Sequence, residues 1–116
     1  NITAFTTGFT SISDKRLKED VYPISNSLNK IVKLEPSHFT WIEKQEQDIG
    51  FIAQEVEEII PEVIHETKGF VDINSNEQDY TTYKSISYDK LTVYLVGAVK
   101  ELTKRIEDLE ERFIKK

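Results

Sequence analysis

The six residues Ser13-Asp14-Lys15-Arg16-Leu17-Lys18 hold the groups in this chain best suited to covalent chemistry. A serine hydroxyl is a poor nucleophile until a base takes its proton, and a lysine amine can do so only when it is uncharged. Burial and nearby cations disfavour the ammonium form, and Lys15 and Arg16 supply cations next to Lys18. Five residues from Ser13 to Lys18 allow one turn of chain to bring Nζ near Oγ. The same stretch has a plainer account, in which Ser-Asp caps a helix and the Lys/Arg run is solvated. Spacing alone favours that plainer account.

Other groups offer less. His38 and His65 lie far apart with no acidic neighbour at metal-ligand spacing, so no metal site is expected. Glu55, Glu57, Glu58 and Glu62 would supply a carboxylate pair for glycoside chemistry, but a solvated helix face explains them more simply. The glycines are isolated and form no phosphate loop, so no cofactor is expected either. Asn1-Ile2-Thr3 fits a glycosylation sequon that means little without a secretory context. With no cysteine, disulfide frameworks, thiolate zinc and cysteine catalysis are excluded.

The elements around this motif follow from periodicity. Residues 1–12 are uncharged, and their alternation reads weakly as strand. At Ser13 the composition changes abruptly, as at the boundary of a structural unit. Ile24, Leu28, Ile31, Val32 and Leu34 follow helical spacing between Val21 and Leu34, with Ser25 or Ser27 as cap and Pro36 as stop. Phe39 and Trp41, then Ile49 and Phe51, alternate on either side of a polar turn and predict a short hairpin. Ala53 to Ile60 predicts a second helix. Gly69 to Ser87 predicts a longer hairpin, its β-prone runs FVDI and YTTYKSIS separated by NSNEQD.

The last segment carries heptads. Tyr88, Leu95, Leu102 and Leu109 at d place Thr92, Val99, Ile106 and Phe113 at a, a seam of nearly four heptads. A helix over 88–114 is about 40 Å long at 1.5 Å per residue, too long to hide its seam in so small a domain. Arg105 at g faces Glu110 at the next e, which suits parallel neighbours. Leu91, Val96 and Ala98 widen the apolar stripe of the upper half. A parallel homo-oligomer follows, three strands being favoured over two, with Leu95, Val99, Leu102, Ile106, Leu109 and Phe113 as its seam.

The bulk numbers agree. The 116 residues allow one small domain, and 38% hydrophobic against 31% charged content is lean for a compact globule. That balance suggests an elongated or oligomeric object. The net charge of −6 argues against direct nucleic-acid binding, and the acid is concentrated in residues 43–79, which hold eleven acidic and two basic side chains. No apolar run approaches the roughly 18 residues of a membrane helix, and no membrane partner is expected.

With these blocks in place, the chain resembles the intramolecular chaperone domain of endosialidases, peptidase family S74. That module closes phage tail spikes, tail fibres and neck appendages and occurs in myelin regulatory factor-like proteins. The resemblance rests on Ser13-Asp14-Lys15-Arg16-Leu17-Lys18 and on residues 28–34 followed by Pro36, Phe39 and Trp41. It continues through Gly50-Phe51-Ile52-Ala53-Gln54-Glu55-Val56 and Pro61-Glu62-Val63 to Lys84-Ser85-Ile86-Ser87-Tyr88. It covers residues 13 to about 105.

The resemblance implies an α+β fold, mainly helical: two helices, short β-hairpins and a long C-terminal helix forming a parallel trimeric coiled coil. It implies a homotrimer whose partner is the upstream fibre or spike of the same polypeptide. Residues 1–12 would be the end of that client and 13–116 the chaperone, which promotes folding and then cuts itself off between Ile12 and Ser13. Ser13 would be the nucleophile, Lys18 its base, and Asp14 and Arg16 positioning residues. The hairpin at 69–87 would match, by position, the family's arm over the client. Packing around Leu91, Leu95 and Val99 would preorganise the Ser13/Lys18 pair. A viral chaperone of this kind would act in the host cytoplasm during virion assembly and be absent from the mature particle. The alternative is a structural trimeriser that stays on its fibre. A generic coiled-coil adaptor leaves the GFIAQEV and SDxRLK blocks unexplained.

Overall fold

The computed structural model describes residues 10–70 and 80–114. The strand expected over 1–12 and the NSNEQD tip therefore lie largely or wholly outside the described residues. Among the described residues, three helices and two antiparallel hairpins follow one another: α1 (Ser27–Ile31), β1 (Ser37–Thr40), β2 (Gln47–Gly50), α2 (Ala53–Ile59), β3 (Ile64–Phe70), β4 (Tyr80–Ile86) and α3 (Tyr88–Ile114). Short 3-10 turns at Lys15–Leu17 and Pro61–Val63 complete the order.

The first hairpin forms as the alternation predicts, with Ser37 opposite Gly50 and Thr40 opposite Gln47. Its turn closes through Trp41 N–H to the Glu46 carbonyl and Gln45 N–H to the Trp41 carbonyl, both at 2.8 Å. Phe39 and Trp41 meet edge to face with centroids 5.0 Å apart. The second hairpin differs from expectation. Its first strand starts at Ile64 rather than at the FVDI run, and its register runs from Ile64 opposite Ile86 to Phe70 opposite Tyr80. The cause is local: Pro61 opens a 3-10 turn that ends in extended backbone at Ile64.

The helix expected from Val21 to Leu34 is also shorter, only Ser27–Ile31. Pro23 precedes it, and Asn26 takes a left-handed φ of 59° that no helix continues through. Neither Ser25 nor Ser27 caps it, and Asn26 makes no side-chain cap bond. Its apolar side packs on α3.

Val56, Ile60, Val63, Leu91 and Tyr94 form the buried core, with Ile31, Leu34, Phe51, Ile59, Ile64 and Ile86 around it. Leu91 and Ala98, read from the sequence as contacts for other chains, are buried within their own chain. This edge of α3 packs on α1 and on the Pro61–Val63 turn, so it is already occupied, while Val96 stays exposed. The core is small and the object long, 71 × 39 × 24 Å with a radius of gyration of 19.6 Å. A compact chain of this length would have about 13 Å. The excess is α3, whose last turns run beyond the body.

The seam of α3 faces solvent in the single chain. From Leu95 through Val99, Leu102, Ile106 and Leu109 to Phe113, each side chain is between 45% and 76% exposed. An apolar stripe of this length on a charged helix marks a contact surface.

Tyr94 ties α3 to the 3-10 turn by donating its phenolic hydrogen to the Glu62 carboxylate. That bond, foremost, holds Glu62 below the ordinary carboxylate value. Burial first, and the Glu62 carboxylate second, push Tyr94 up to about 12. The signs give a plateau. The Glu62 contribution is present above about 4.5 and lost as pH falls through its depressed folded value. The Tyr94 contribution is present below about 10 and lost as pH rises toward 12. Urea midpoints recorded against pH should therefore fall at both ends, and Tyr94→Phe should make the decline between 10 and 12 shallower, leaving the part that the raised Lys84 contributes through Glu57. An unchanged alkaline limb in Tyr94→Phe would refute this assignment.

Candidate active site

The motif at 13–18 is a self-folded turn. Asp14 is extended (φ −69°, ψ 134°), and its Oδ1 accepts the Arg16 N–H at 2.8 Å, capping the Lys15–Leu17 3-10 turn. Leu17 N–H donates to the Asp14 carbonyl at 3.1 Å and Lys18 N–H to the Lys15 carbonyl at 3.2 Å. Lys18 then returns to extended backbone (φ −125°, ψ 145°). This one turn lays the Lys18 stem back along the chain, and its Nζ donates to Ser13 Oγ at 2.5 Å. The scissile candidate, Ile12–Ser13, adjoins that contact directly.

Asp14 and Arg16 do something the charge pattern concealed. The guanidinium grips the carboxylate with two bonds, Nε to Oδ1 and Nη2 to Oδ2, both 3.0 Å. The Arg16 side chain holds Asp14 below the usual carboxylate range, with the backbone bond adding to the effect. Arg16 is thus neutralised by Asp14 rather than standing as a cation beside Lys18, which corrects the expectation drawn from the Lys/Arg run. The pair is exposed, so its value is geometric rather than energetic: it closes the turn on which Ser13 and Lys18 sit.

All residues from 10 to 26 are exposed in the single chain. A hydroxyl–amine pair in open water is poorly placed for general-base chemistry, because water stabilises the ammonium. Such chemistry would require something laid over the arm to exclude water.

The remaining sequence candidates are dispersed. His38 lies on β1 and His65 on β3, and among the described residues no group of three or more His, Asp or Glu is arranged to hold a metal. Glu57 is engaged by Lys84 at 2.9 Å and Glu62 by Tyr94, so two of the four clustered carboxylates serve the fold. No helix among the described residues is long and apolar enough to cross a membrane. Sequence reasoning missed Glu101, which reaches α1 across 74 positions (2.8 Å from its Oε2 to Ser27 N). No local signal marks such a contact.

Residues 13–65 match the family model described as chaperone of endosialidase, Peptidase_S74. Over those residues the chain carries that family's pattern. The S74 match begins at Ser13 itself, the first residue of the folded turn. The long tail fiber protein Gp37 of Enterobacteria phage K3 is 31% identical over 107 residues, and so is that of phage T2. Each alignment covers 88% of this chain, while the chain spans only 8% and 7% of those proteins. A similar fold is seen in a crystal structure described as a novel intramolecular chaperon. It matches with a TM-score of 0.59 at 16% identity, covering 80% of this chain and 99% of that one. At that identity the likeness speaks for the fold alone. The match to the chaperone-of-endosialidase model thus falls on a chain of mixed helix, small antiparallel hairpins and a long C-terminal helix.

Proposed function

We propose that this domain assembles as a parallel homotrimer through α3, guides the folding of a fibrous trimer upstream of Ser13, and then frees itself by cutting Ile12–Ser13. The observation that carries the reading is the 2.5 Å contact of Lys18 Nζ with Ser13 Oγ beside that bond. The exposed seam of α3 supports the trimer, and the start of the family match at Ser13 supports the domain boundary. The tail-fibre relatives support a fibrous viral client. In this proposal the domain acts in the infected cell and is shed from the finished particle.

The chemistry balances within the chain. Lys18 in its uncharged form takes the Ser13 hydroxyl proton as Oγ attacks the Ile12 carbonyl carbon. The tetrahedral intermediate carries its negative charge on the former carbonyl oxygen, where backbone N–H donors would stabilise it. The C–N bond then breaks, the Lys18 ammonium returns the proton to the Ser13 nitrogen, and Ile12 is left as an ester on Oγ. Water attacks that ester, releasing an Ile12 carboxylate and a free Ser13 with its hydroxyl restored. The domain is a single-turnover serine peptidase acting on itself, with Asp14 and Arg16 holding the turn.

Assembly comes first in this scheme. Coverage of the arm by neighbouring subunits supplies the desolvation that the single chain lacks, so the cut waits for the trimer. A fibre gene expressed with the domain should give soluble trimeric fibre, and the same gene ended at Ile12 should give aggregate. Equal yields of native fibre from both would overturn the chaperone assignment.

A further inference from the structure

The arm that carries Ser13 and Lys18 is exposed throughout residues 10–26, and the chain first becomes buried at Ser27, with no exposed surface at all. Ser27 sits against Gly97 of α3. A Cβ on Gly97 would stand 2.9 Å from Ser27 Cβ and 3.3 Å from Ile24 Cγ2, so the notch exists only because residue 97 has no side chain. One turn further along α3, the Glu101 carboxylate straddles the start of α1. Its Oε2 accepts Ser27 N–H at 2.8 Å and its Oε1 accepts Leu28 N–H at 3.3 Å. Asn26, the residue in capping position, makes no side-chain cap bond. Two orphan donors of α1, Ser27 and Leu28 N–H, are thus satisfied by a charged group from a distant helix, and such bonds are stronger than neutral ones.

Gly97 and Glu101 lie between the seam residues Leu95, Val99 and Leu102 on the same rigid helix. Eight residues separate Lys18 from Ser27, and that span includes Pro23, whose φ is fixed. From the seam inward, the order is therefore seam, helix, Glu101 with the Gly97 notch, α1, arm, Ser13/Lys18.

We infer that Glu101, seated beside the Gly97 notch, is the positioning residue through which the seam helix fixes the cleavage arm. The inference rests on the self-cleavage reading above. Without the Glu101 bonds, the arm swings about the left-handed Asn26, and the Ser13/Lys18 turn is no longer presented to the neighbouring subunit. Glu101 touches no reacting atom and acts only through α1.

The test compares Glu101→Ala and Glu101→Gln in the full chain, with Lys104→Ala as a control on the same helix. Cleavage is followed by intact mass and assembly by sedimentation. Amide exchange over 13–31 is recorded in a Ser13→Ala background that stays uncut. Glu101→Ala should remain trimeric, exchange faster across the arm as well as at Ser27 and Leu28, and cut at least roughly tenfold more slowly. Glu101→Gln, whose amide oxygen still accepts Ser27 N–H, should fall between it and the wild type. Lys104→Ala should match the wild type. A cap with only a structural role would lower the melting temperature and leave the rate of the surviving trimer unchanged. Wild-type cutting by trimeric Glu101→Ala overturns the inference, as does faster exchange confined to Ser27 and Leu28. If Glu101→Ala fails to assemble, the Gln variant decides by the same criteria. If the wild type itself stays whole, the cleavage reading falls, and arm exchange alone then decides for or against the Glu101 link.

Discussion

Lys18→Ala should leave Ile12–Ser13 intact in a normally assembled trimer, lowering the rate of cutting by about 10²–10⁴-fold. At 1.36 kcal/mol per tenfold this is about 3–5 kcal/mol of barrier. The reasoning is geometric before it is energetic. Lys18 Nζ reaches Ser13 Oγ at 2.5 Å, and no other side chain of the described residues is recorded on that hydroxyl. Lys18→Arg should be as inert as the alanine variant, because a guanidinium can donate to Oγ but does not give up its own proton in a protein. That second variant separates charge from basicity. Lys18 is exposed and belongs to no core contact, so neither change should alter melting by more than a surface substitution does. Full-rate cutting by Lys18→Arg, read by intact mass, would remove Lys18 from the base role.

The second large effect belongs to the seam. Leu95→Asp should give a folded monomer that does not cut. Leu95 is 49% exposed in the single chain and absent from the core of Val56, Ile60, Val63, Leu91 and Tyr94. The chain's own body should therefore survive the change. In a three-stranded bundle the same position meets two copies of itself, so the substitution forces three carboxylates into one apolar layer. Each apolar seam residue left uncovered also forgoes about 1 kcal/mol of burial. Sedimentation should report a monomer, circular dichroism a retained helix, and intact mass an uncut chain. Leu91→Ala makes the informative contrast: Leu91 is 4% exposed, so it should cost about 2–5 kcal/mol of the single-chain fold. A monomeric Leu95→Asp that cut at full rate would detach cleavage from assembly.

How far the molecule was legible in its sequence depends on the range of the forces involved. Helix α3 was readable to the residue, Tyr88 to Ile114, because a heptad seam repeats its signal four times within one element. The first hairpin was readable because its turn is polar and its flanks alternate. Helix α1 was over-read: the spacing of Ile24, Leu28 and Leu34 is helical, but the backbone at Pro23 and Asn26 is not. The second hairpin was misplaced at its start, since the extended exit of the Pro61 turn already begins the strand at Ile64; Val71, Asp72 and Ile73 of the FVDI run lie outside the described residues.

The site divides in the same way. Ser13 and Lys18 stand five residues apart, near enough for local geometry to bring them together, and the turn between them does so. The signs of nearby charges were visible, but their pairing was not. Arg16 could equally have faced Lys18 or Asp14, and only the folded turn shows it gripping Asp14. Glu101 was beyond reach altogether. On the helix it is one exposed-looking acid among several, and its partners are backbone amides 73 and 74 positions away. Leu91 and Ala98 show the opposite error: they were read as part of a stripe for other chains, but the surface covering them is the chain's own.

The most direct test of the account is the intact mass of freshly purified material, wild type beside Ser13→Ala, both assayed as assembled trimers. The account predicts a wild-type product that begins at Ser13 and a Ser13→Ala chain that keeps residues 1–12 on prolonged incubation. Two chains that both stay whole as trimers would contradict it and leave a trimeriser that remains on its fibre.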